Sequence, residues 1–334
     1  MKYGSVCSGI EAATVAWHHI GWEPSFFSEI DAFPRAVLEH HYPEVPLHGD
    51  FTTILDGDYD PIDLLVGGTP CQSFSVAGLR AGLADPRGNL MLGFGALAER
   101  LGPRWLVWEN VPGVLSANGG RDFGAFLGML AEVGYGLAYR VLDAQYFGVA
   151  QRRRRVFVVG YFGDWRPAAA VLFERQSLSG NPAPSREAGQ GFAADVAPSL
   201  TASGRGVERV GETRGQDPVV AVAFGQNRQS GPVDVSHAMS AHGGPHGRLD
   251  FESETFLVQR VSQNLAVRRL TPIECERLQG FPDDYTRIPY RNKPAEKCPD
   301  GPRYKALGNS MAVPVMRWIG ERVALVDGLP TPQL

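Results

Sequence analysis

The sequence predicts an α/β protein built on a doubly wound, mostly parallel sheet with helices on both faces. Residues 1–163 alternate short β-rich runs with helical stretches, and the connections between strands are long enough for helical crossovers. The composition agrees, because 43% hydrophobic and 20% charged residues in 334 suit one large or two modest globular domains. It excludes a wholly disordered chain, a coiled coil and a collagen-like repeat.

Runs rich in β-branched and aromatic residues mark the strands. We predict them at Lys2–Val6, Ser25–Ser28, Ile62–Val66, Trp105–Trp108, Gly136–Leu142 and Val156–Tyr161. Apolar residues with helical spacing predict helices at Glu11–Ile20, Phe33–His41, Leu90–Leu101 and Phe123–Val133. The lengths of the crossovers lead us to expect parallel strands.

The texture of the sequence changes in the middle of the chain. Residues 174–262 are rich in Gly, Pro, Ser and Arg, which fits a disordered linker or a small irregular domain of short strands, and we favour the domain. Ordered patterns return at Leu270, after which a capping box predicts a helix ending at Gly280. A last helix is predicted over Ala312–Leu325. The predicted domains are 1–173, 174–262, and a segment 263–334 that returns to the first.

Charge is distributed unevenly along the chain. The net charge is −4, but residues 1–70 carry eleven acidic against two basic residues, so the remainder sums to +5. This asymmetry fits a nucleic-acid enzyme whose basic part meets phosphates, and it fits an uneven solvated surface about equally well.

The four cysteines and the apolar runs bear on the compartment. The cysteines are widely separated, without metal-binding spacing, and we expect reduced thiols at Cys7, Cys71, Cys275 and Cys298. No leader segment and no membrane span are recognisable, so we expect a cytoplasmic protein.

Three short segments carry the residue types that catalysis needs. Cys71 follows the strand Ile62–Val66 on a turn that two glycines and a proline stiffen. Such a cysteine is either a buried turn residue or an exposed nucleophile at the carboxyl edge of the sheet, where ligands bind in open α/β folds. Glu109 ends the strand that begins at Trp105 and faces the same edge of the sheet. It is either a surface acid, a helix cap or a proton-sharing carboxyl group.

The third segment is a run of four arginines that leads into the strand Val156–Tyr161. It is a solvated basic patch or, because side chains alternate along a strand, two pairs with different surroundings. In the second case Arg153 and Arg155 share one face, and Arg152 and Arg154 share the other.

Together these segments resemble the DNA cytosine-5 methyltransferases of bacteria and bacteriophages. The resemblance covers residues 2–163 and 266–325. It rests on five motifs in order: Pro70-Cys71-Gln72, Glu109-Asn110-Val111, Gln151-x-Arg153-x-Arg155, the stretch Arg268–Pro282, and Gly308-Asn309-Ser310. Any one of these motifs is weak evidence, but five in the family's order are highly specific.

The resemblance implies the fold, the reaction and the catalytic residues. The sheet would be that of an S-adenosylmethionine-dependent methyltransferase, and residues 174–262 would form its target-recognition domain. Cys71 would add to carbon 6 of a cytosine flipped out of duplex DNA. Glu109 would bind ring nitrogen 3 and the amine, and Arg155, supported by Arg153, would contact the oxygen on carbon 2.

The resemblance also implies the S-adenosylmethionine site. Glu29 would bind the ribose hydroxyls, with Ile30 beside the adenine, and Asp50 with Phe51 would contact the adenine amine. The remaining implied cofactor residues are Ser8, Gly9, Ile10, Pro70, Leu90, Asn309 and Ser310. The sequence departs from the family at Glu11, where a glycine is common. Glu11 could instead open the following helix, where an acid favours the helix dipole.

Several other features are expected to be structural. His237, His242 and His246 are expected to be loop residues rather than ligands, so no metal is predicted. The aromatic pairs Phe26-Phe27 and Trp105/Trp108, together with Cys275, are expected in the core.

Two other functions remain open beside a monomeric enzyme acting on duplex DNA. One is a catalytically silent DNA-binding relative, against which the presence of Cys71, Glu109 and Arg155 argues. The other is an RNA methyltransferase of the same chemistry, against which the long middle segment argues.

Overall fold

The computed structural model describes residues 1–70, 90–173, 222–225, 236–237, 255–261 and 264–329. Between residues 222 and 268 it describes the backbone of four strands. Cys71 and the turn that follows it therefore lie outside the described residues, as do His242 and His246.

A seven-stranded sheet is the frame of the molecule, with strand order β3-β2-β1-β4-β5-β8-β6. Its strands are β1 (Lys2–Val6), β2 (Glu23–Ser28), β3 (Leu47–His48), β4 (Leu64–Gly67), β5 (Trp105–Asn110), β6 (Tyr135–Asp143) and β8 (Arg154–Phe162). All six predicted strands are present, with ends within two residues of the prediction. The two-residue β3 at the sheet edge is additional, and it is too short to leave a periodic pattern.

The direction of β8 differs from the parallel arrangement expected of the strands. The pairs from β3 to β5 are parallel, as predicted, but β8 is antiparallel to both β5 and β6. The chain passes from β6 to β8 through a short 3₁₀ turn, Ala144–Phe147, instead of a helix. Without a helical crossover, the returning strand runs antiparallel to the one before it.

Eight helices are described, and they lie on both faces of the sheet. They are α1 (Ala12–Trp17), α2 (Ala32–His41), α3 (Leu90–Leu101), α4 (Arg121–Glu132), α5 (Trp165–Leu172), α6 (Pro272–Gln279), α7 (Asp300–Asn309) and α8 (Val313–Asp327). The predicted first helix is shorter than expected, because His18–Ile20 forms a 3₁₀ turn. The prediction lacked α5 and α7.

Adjacent strand residues supply separate cores on the two faces of the sheet. Tyr3, Leu64 and Val107 pack in the core that also holds residues of α1, α5 and α8. Leu65 and Trp108 pack in the other core, with residues of α3 and α4. The alternation follows from the period of two along a strand, and it explains why Trp105 and Trp108, three positions apart, lie in different cores.

The last helix packs directly against the first. Trp17 Nε1 of α1 donates to the carbonyl oxygen of Met316 at 2.7 Å. A Cβ atom at Gly320 would lie 2.3 Å from the same indole nitrogen, so the close approach of the two helices requires glycine there. The C-terminal part of the chain thus returns to the N-terminal sheet.

The middle segment contributes short strands. β9 (Val222–Gly225), β11 (Thr255–Val261) and β12 (Asn264–Arg269) form an antiparallel sheet, and β10 (Ser236–His237) pairs in parallel with β7 (Gln151–Arg152). The pair β11–β12 crosses the predicted boundary between residues 262 and 263. The division of the chain into three domains stays a prediction.

Candidate active site

The carboxyl ends of β4 and β5 meet at one edge of the sheet, as the sequence predicts. Glu109 lies near the end of β5, and Gly68 directly follows β4. A Cβ atom on Gly68 would lie 3.2 Å from Glu109 Oε2 and 3.1 Å from the methyl carbon of Met311. A side chain at Gly68 would crowd both groups, so the glycine gives the Glu109 carboxylate room against this turn.

Glu109 is a buried carboxyl group that faces two arginines. Its Oε1 lies 3.1 Å from Arg155 Nε, and it receives no aligned hydrogen bond from any described residue. Burial raises the pKa of Glu109, while the charges of Arg155 and then Arg153 oppose the rise. The resulting group can hold or share a proton closer to neutrality than an ordinary glutamate.

The direction of β8 brings Arg155 to Glu109. Glu109 is paired in register with Phe157 and Asn110 with Val156, so the beginning of β8 adjoins the end of β5. A parallel β8 would have placed Arg155 at the opposite edge of the sheet. The antiparallel strand is therefore what joins the second and third of the predicted catalytic motifs.

Arg153 lies deeper than Arg155 and contacts the C-terminal part of the chain. It is 2% exposed, and its guanidinium donates to the carbonyl oxygens of Gly308 at 3.2 Å and Ser310 at 2.6 Å. Burial, reinforced by the neighbouring charge of Arg155, lowers its pKa. Arg152 and Arg154 are exposed, which confirms the predicted alternation of the four arginines.

Asn110 and Trp108 hold the turn that leads towards Pro70. Asn110 Nδ2 donates to the carbonyl oxygen of Thr69 at 2.8 Å, and Trp108 Nε1 donates to the Thr69 hydroxyl at 3.0 Å. Thr69 is buried, whereas Pro70 is exposed. Two residues of β5 therefore fix the backbone two positions before Cys71.

A second arrangement of polar groups surrounds the turn after β1. The Gly9 N–H donates to Glu29 Oε2 at 2.8 Å, and the N–H groups of Ile30 and Asp31 both donate to Glu29 Oε1 at 2.8 Å. Three backbone donors thus orient the Glu29 carboxylate, which keeps further lone pairs for other donors. Ser8 links the neighbouring strands, since its hydroxyl donates to the Ser5 carbonyl and accepts from the Ser28 N–H.

Apolar and acidic groups continue from this turn. Ile30 is 73% exposed, which is unusual for an isoleucine beside a polar turn. Asp50 is exposed and caps the short 3₁₀ turn Phe51–Thr53 by accepting from the N–H and hydroxyl of Thr52. Phe51 itself is buried in the core.

Glu11 opens α1, as the sequence analysis suggests. Its φ is 60°, the left-handed region that glycine favours, and its side chain accepts from the Thr14 N–H as the N-cap. The side chain is buried, and it also accepts from the hydroxyls of Ser5 and Thr14. Burial raises the pKa of Glu11, and these hydrogen bonds oppose the rise.

Comparison with known proteins identifies the family. The model of the family described as C-5 cytosine-specific DNA methylase matches residues 1–188 and 205–324. The chain belongs to this family. It is 37% identical, over 96% of its length, to a protein of Escherichia phage P1 named DNA N-6-adenine-methyltransferase, and it spans 61% of that relative.

A second relative and a solved structure agree with this assignment. The chain is 30% identical, over 92% of its length and 88% of the relative's, to the type II methyltransferase M.NgoBI of Neisseria gonorrhoeae. The crystal structure of a Spodoptera frugiperda DNMT2 mutant superposes with a TM-score of 0.63 at 18% identity, covering 97% of this chain and 99% of the other. The likeness to the DNMT2 structure is one of fold alone.

As a member of the C-5 cytosine-specific DNA methylases, the protein uses S-adenosylmethionine as its methyl donor. The turn after β1 fits such a group: the Glu29 carboxylate suits a pair of ribose hydroxyls, and Ile30 offers an exposed apolar face for a base. Three further predicted cofactor residues differ in burial. Leu90 is half-buried at the start of α3, Asn309 is exposed at the end of α7, and Ser310 is buried directly after α7. None of the binding assignments in this methylase is tested by these positions, and they stay predictions.

Two side chains at the site were absent from the prediction. Thr69 and Met311 lie beside the predicted catalytic motifs but carry no chemical signal of their own. Asn110 lies inside a recognised motif, so its role in holding Thr69 could have been suspected from the sequence.

The expected structural residues are buried in this methylase. Phe26, Phe27, Trp105, Trp108 and Cys275 all lie in the cores, which confirms the prediction for them. Cys7, Cys275 and Cys298 are free thiols.

Two further observations concern membranes and metals. Within the described ranges, none of the helices combines the length and apolarity needed to cross a bilayer. The same residues include no cluster of three or more His, Cys, Asp or Glu side chains suited to a metal ion.

Proposed function

We propose that this methylase transfers a methyl group to carbon 5 of a cytosine within a specific duplex DNA sequence, after flipping that base out of the helix. The observation that carries the proposal is the buried Glu109, which lies beside Arg155 and against the turn at Gly68 that follows β4. A base in a duplex cannot reach a group buried in this way, and extrusion of the base is the general solution.

Glu109 and Arg155 suit the two polar edges of a cytosine. A protonated or proton-sharing Glu109 can donate to ring nitrogen 3 while its other oxygen accepts from the amine. Arg155 Nε already faces Glu109, and its guanidinium has further N–H groups that can donate to the oxygen on carbon 2. Protonation at nitrogen 3 withdraws electrons from carbon 6 and makes it open to attack.

Cys71 would supply the nucleophile. Its thiolate adds to carbon 6, and the displaced electron pair makes carbon 5 nucleophilic. Carbon 5 then takes the methyl group that S-adenosylmethionine supplies. A base removes the proton from carbon 5, the double bond between carbons 5 and 6 forms again, and the thiolate leaves. Arg153, which contacts carbonyls instead of an open pocket, would keep Arg155 and the Gly308–Ser310 turn in place.

The cofactor would lie along the carboxyl ends of β1 and β2. In this proposal Ser8, Gly9 and Ile10 form the turn beneath it, Glu29 binds the ribose hydroxyls, and Ile30 contacts the adenine. Asp50 is exposed and close to this edge, so it can accept from the adenine amine. Phe51, Pro70, Leu90, Asn309 and Ser310 complete the proposed set.

A covalent trap tests the proposed chemistry. The wild-type protein should form a denaturation-resistant adduct on duplex DNA that carries 5-fluorocytosine at the target, because fluorine cannot leave as the carbon 5 proton does. The adduct should require both S-adenosylmethionine and Cys71. Cys71→Ala should lose methyl transfer and keep specific DNA binding, whereas turnover by this variant would refute the mechanism.

The name of the phage P1 relative provides a second candidate, transfer to the exocyclic amine of adenine. That reaction needs no thiol adduct, because the amine nitrogen receives the methyl group directly. Digestion of methylated DNA followed by mass spectrometry separates the candidates: 5-methyldeoxycytidine supports our proposal, and N6-methyldeoxyadenosine contradicts it. An RNA competitor in the same assay tests the preference for DNA.

The recognised sequence is proposed to depend on residues 174–262. Replacing this segment with that of a relative should change the methylated sequence, as bisulfite sequencing reports, and leave the methylated base the same. Chimeras that keep the original target would exclude this segment as the reader of sequence.

A further inference from the structure

The turn after β1 contains an unusual series of backbone conformations. Cys7, Gly9 and Glu11 have φ angles of 48°, 58° and 60°, all in the left-handed region. For a residue with a side chain this region is unfavourable, so other interactions must hold Glu11 there. The family commonly has glycine at this position, which adopts the same conformation freely.

The side chain of Glu11 provides that restraint from inside the protein. Oε2 accepts from the Thr14 N–H at 3.1 Å and from the Thr14 hydroxyl at 2.6 Å, and Oε1 accepts from the Ser5 hydroxyl. The Tyr3 hydroxyl lies 2.7 Å from that of Thr14 and extends the network along β1. Glu11 is 1% exposed, and it makes no ion pair with a described residue.

The same turn is also bonded to Glu29, which would face the cofactor, and to the buried Tyr285. The Gly9 N–H orients the Glu29 carboxylate, and the hydroxyl of Tyr285 donates to the carbonyl oxygen of Ile10 at 2.9 Å. The backbone between Glu11 and Gly9 is only two peptide units long. A change in the conformation of Glu11 would therefore displace the N–H that holds Glu29.

We propose that Glu11 is a positioning residue for the cofactor: its buried carboxyl group holds the left-handed turn by hydrogen bonds, where the family's glycine relies on conformational freedom. It acts through Gly9 and Glu29 and does not touch S-adenosylmethionine. The inference rests on the proposed cofactor site.

Calorimetric titration of the 334-residue chain with S-adenosylmethionine tests this role without measuring turnover. Glu11→Gly has the conformational freedom but loses every side-chain bond, and its Kd should rise roughly tenfold. Glu11→Gln retains an acceptor oxygen and should recover much of that loss. At saturating cofactor, kcat of both variants should stay within about threefold of the wild type, since no catalytic group is removed.

Asp164→Ala is the matched control. Asp164 is likewise an N-cap, accepting from the Arg166 N–H at the start of α5, but it lies away from the turn. Asp164→Ala should lower the melting temperature slightly, because the helix loses its cap, and it should keep the wild-type Kd. An equal rise in Kd in Asp164→Ala and Glu11→Gly would mean that general destabilisation is responsible, and would overturn the proposal.

Two more variants keep the outcomes distinct. Should Glu11→Gly fail to fold, Ser5→Ala removes one donor to Glu11 and should still raise the Kd by about threefold. Glu29→Ala reports on the cofactor site itself. An unchanged Kd in Glu29→Ala contradicts the proposed cofactor site, while a raised Kd there with an unchanged Kd in Glu11→Gly or Ser5→Ala overturns the role of Glu11 alone.

Discussion

Two glutamates near the carboxyl ends of strands in one sheet, Glu11 after β1 and Glu109 on β5, are both buried, yet their surroundings differ. Glu109 faces the guanidinium groups of Arg155 and Arg153. Glu11 faces hydroxyls and a backbone N–H. Burial raises the pKa of both, but positive charge opposes the rise at Glu109 and hydrogen bonds from neutral groups oppose it at Glu11.

The difference indicates what each carboxyl group is suited to do. A carboxyl group beside cations and open to a substrate can exchange a proton during a reaction. A carboxyl group enclosed by hydroxyls on its own turn has satisfied hydrogen bonds and little reason to exchange them, so it stabilises one backbone conformation. Burial alone therefore does not mark a catalytic acid.

Exchanging each glutamate for glutamine should separate them most clearly. We expect Glu109→Gln to lower kcat by about 10²–10⁴-fold, the usual contribution of a general acid–base group, and to leave the fold intact. Glu11→Gln should leave kcat within about threefold. Single-turnover kinetics at saturating S-adenosylmethionine, with the exposed Glu132→Gln as control, provide the measurement. Similar losses of kcat in Glu109→Gln and Glu11→Gln would contradict the different roles of the two glutamates.

Replacing Arg153 removes one of the two cations near Glu109 and should leave the surroundings of Glu11 unchanged. Arg153→Met leaves the carbonyl oxygens of Gly308 and Ser310 without their charged donor, and we expect the free energy of unfolding to fall by about 2–3 kcal/mol. Arg154→Met, at the exposed next residue where β8 begins, serves as control and should change the free energy of unfolding by less than about 0.5 kcal/mol. Urea denaturation monitored by tryptophan fluorescence measures both, and equal stability of the two variants would contradict the structural role of Arg153.

The pH dependence of stability should report the raised pKa of Glu11. A carboxyl group whose pKa is higher in the folded than in the unfolded state contributes most below the unfolded pKa, and this contribution is lost as the pH rises through the folded pKa. Relative to Glu11→Gln, the wild type should therefore lose stability as the pH rises above about 4.3, by about 1.4 kcal/mol for each unit of the pKa shift.

The neighbouring ionisable groups should not obscure this signal. Tyr3, Tyr42 and Tyr285 interact electrostatically with Glu11, but their own pKa values are raised by burial, so they stay neutral between pH 4 and about 8. Denaturation of both proteins across this range is the measurement. A difference that does not change with pH would mean that Glu11 has an ordinary pKa.

The smallest effect is expected from the hydroxyl of Thr14. Thr14→Val keeps the shape of the side chain and removes one donor to Glu11, so the free energy of unfolding should fall by about 1 kcal/mol. Thr52→Val, which removes an exposed hydroxyl that donates to Asp50, is the matched control and should cost less. An equal loss of unfolding free energy in Thr14→Val and Thr52→Val would indicate that the buried network around Glu11 stabilises the fold no more than an exposed hydrogen bond does.

The elements of this protein were largely predictable, because local patterns specify them. The strands around the predicted catalytic motifs have alternating or fully apolar runs. The capping box at Thr271 and Glu274 correctly predicts the start of α6, and Gly280 correctly predicts its end. The helices α5 and α7 escaped the prediction. In α7 a glycine and a proline near the start interrupt the apolar pattern.

The sequence by itself determined which chemical groups the site contains: Glu109 at the end of an apolar strand, alternating arginines, and the acid Glu29 after β2. Only the tertiary structure decided how these groups meet. The direction of β8 depends on a short turn and on pairing with distant strands. No local pattern therefore reveals that β8 begins beside Glu109, which places Arg155 at this edge of the sheet instead of the opposite one. Likewise, a glutamate where glycine is common shows its purpose only when Ser5 and Thr14 are brought around it, because hydrogen bonds in a buried network are set by position in space.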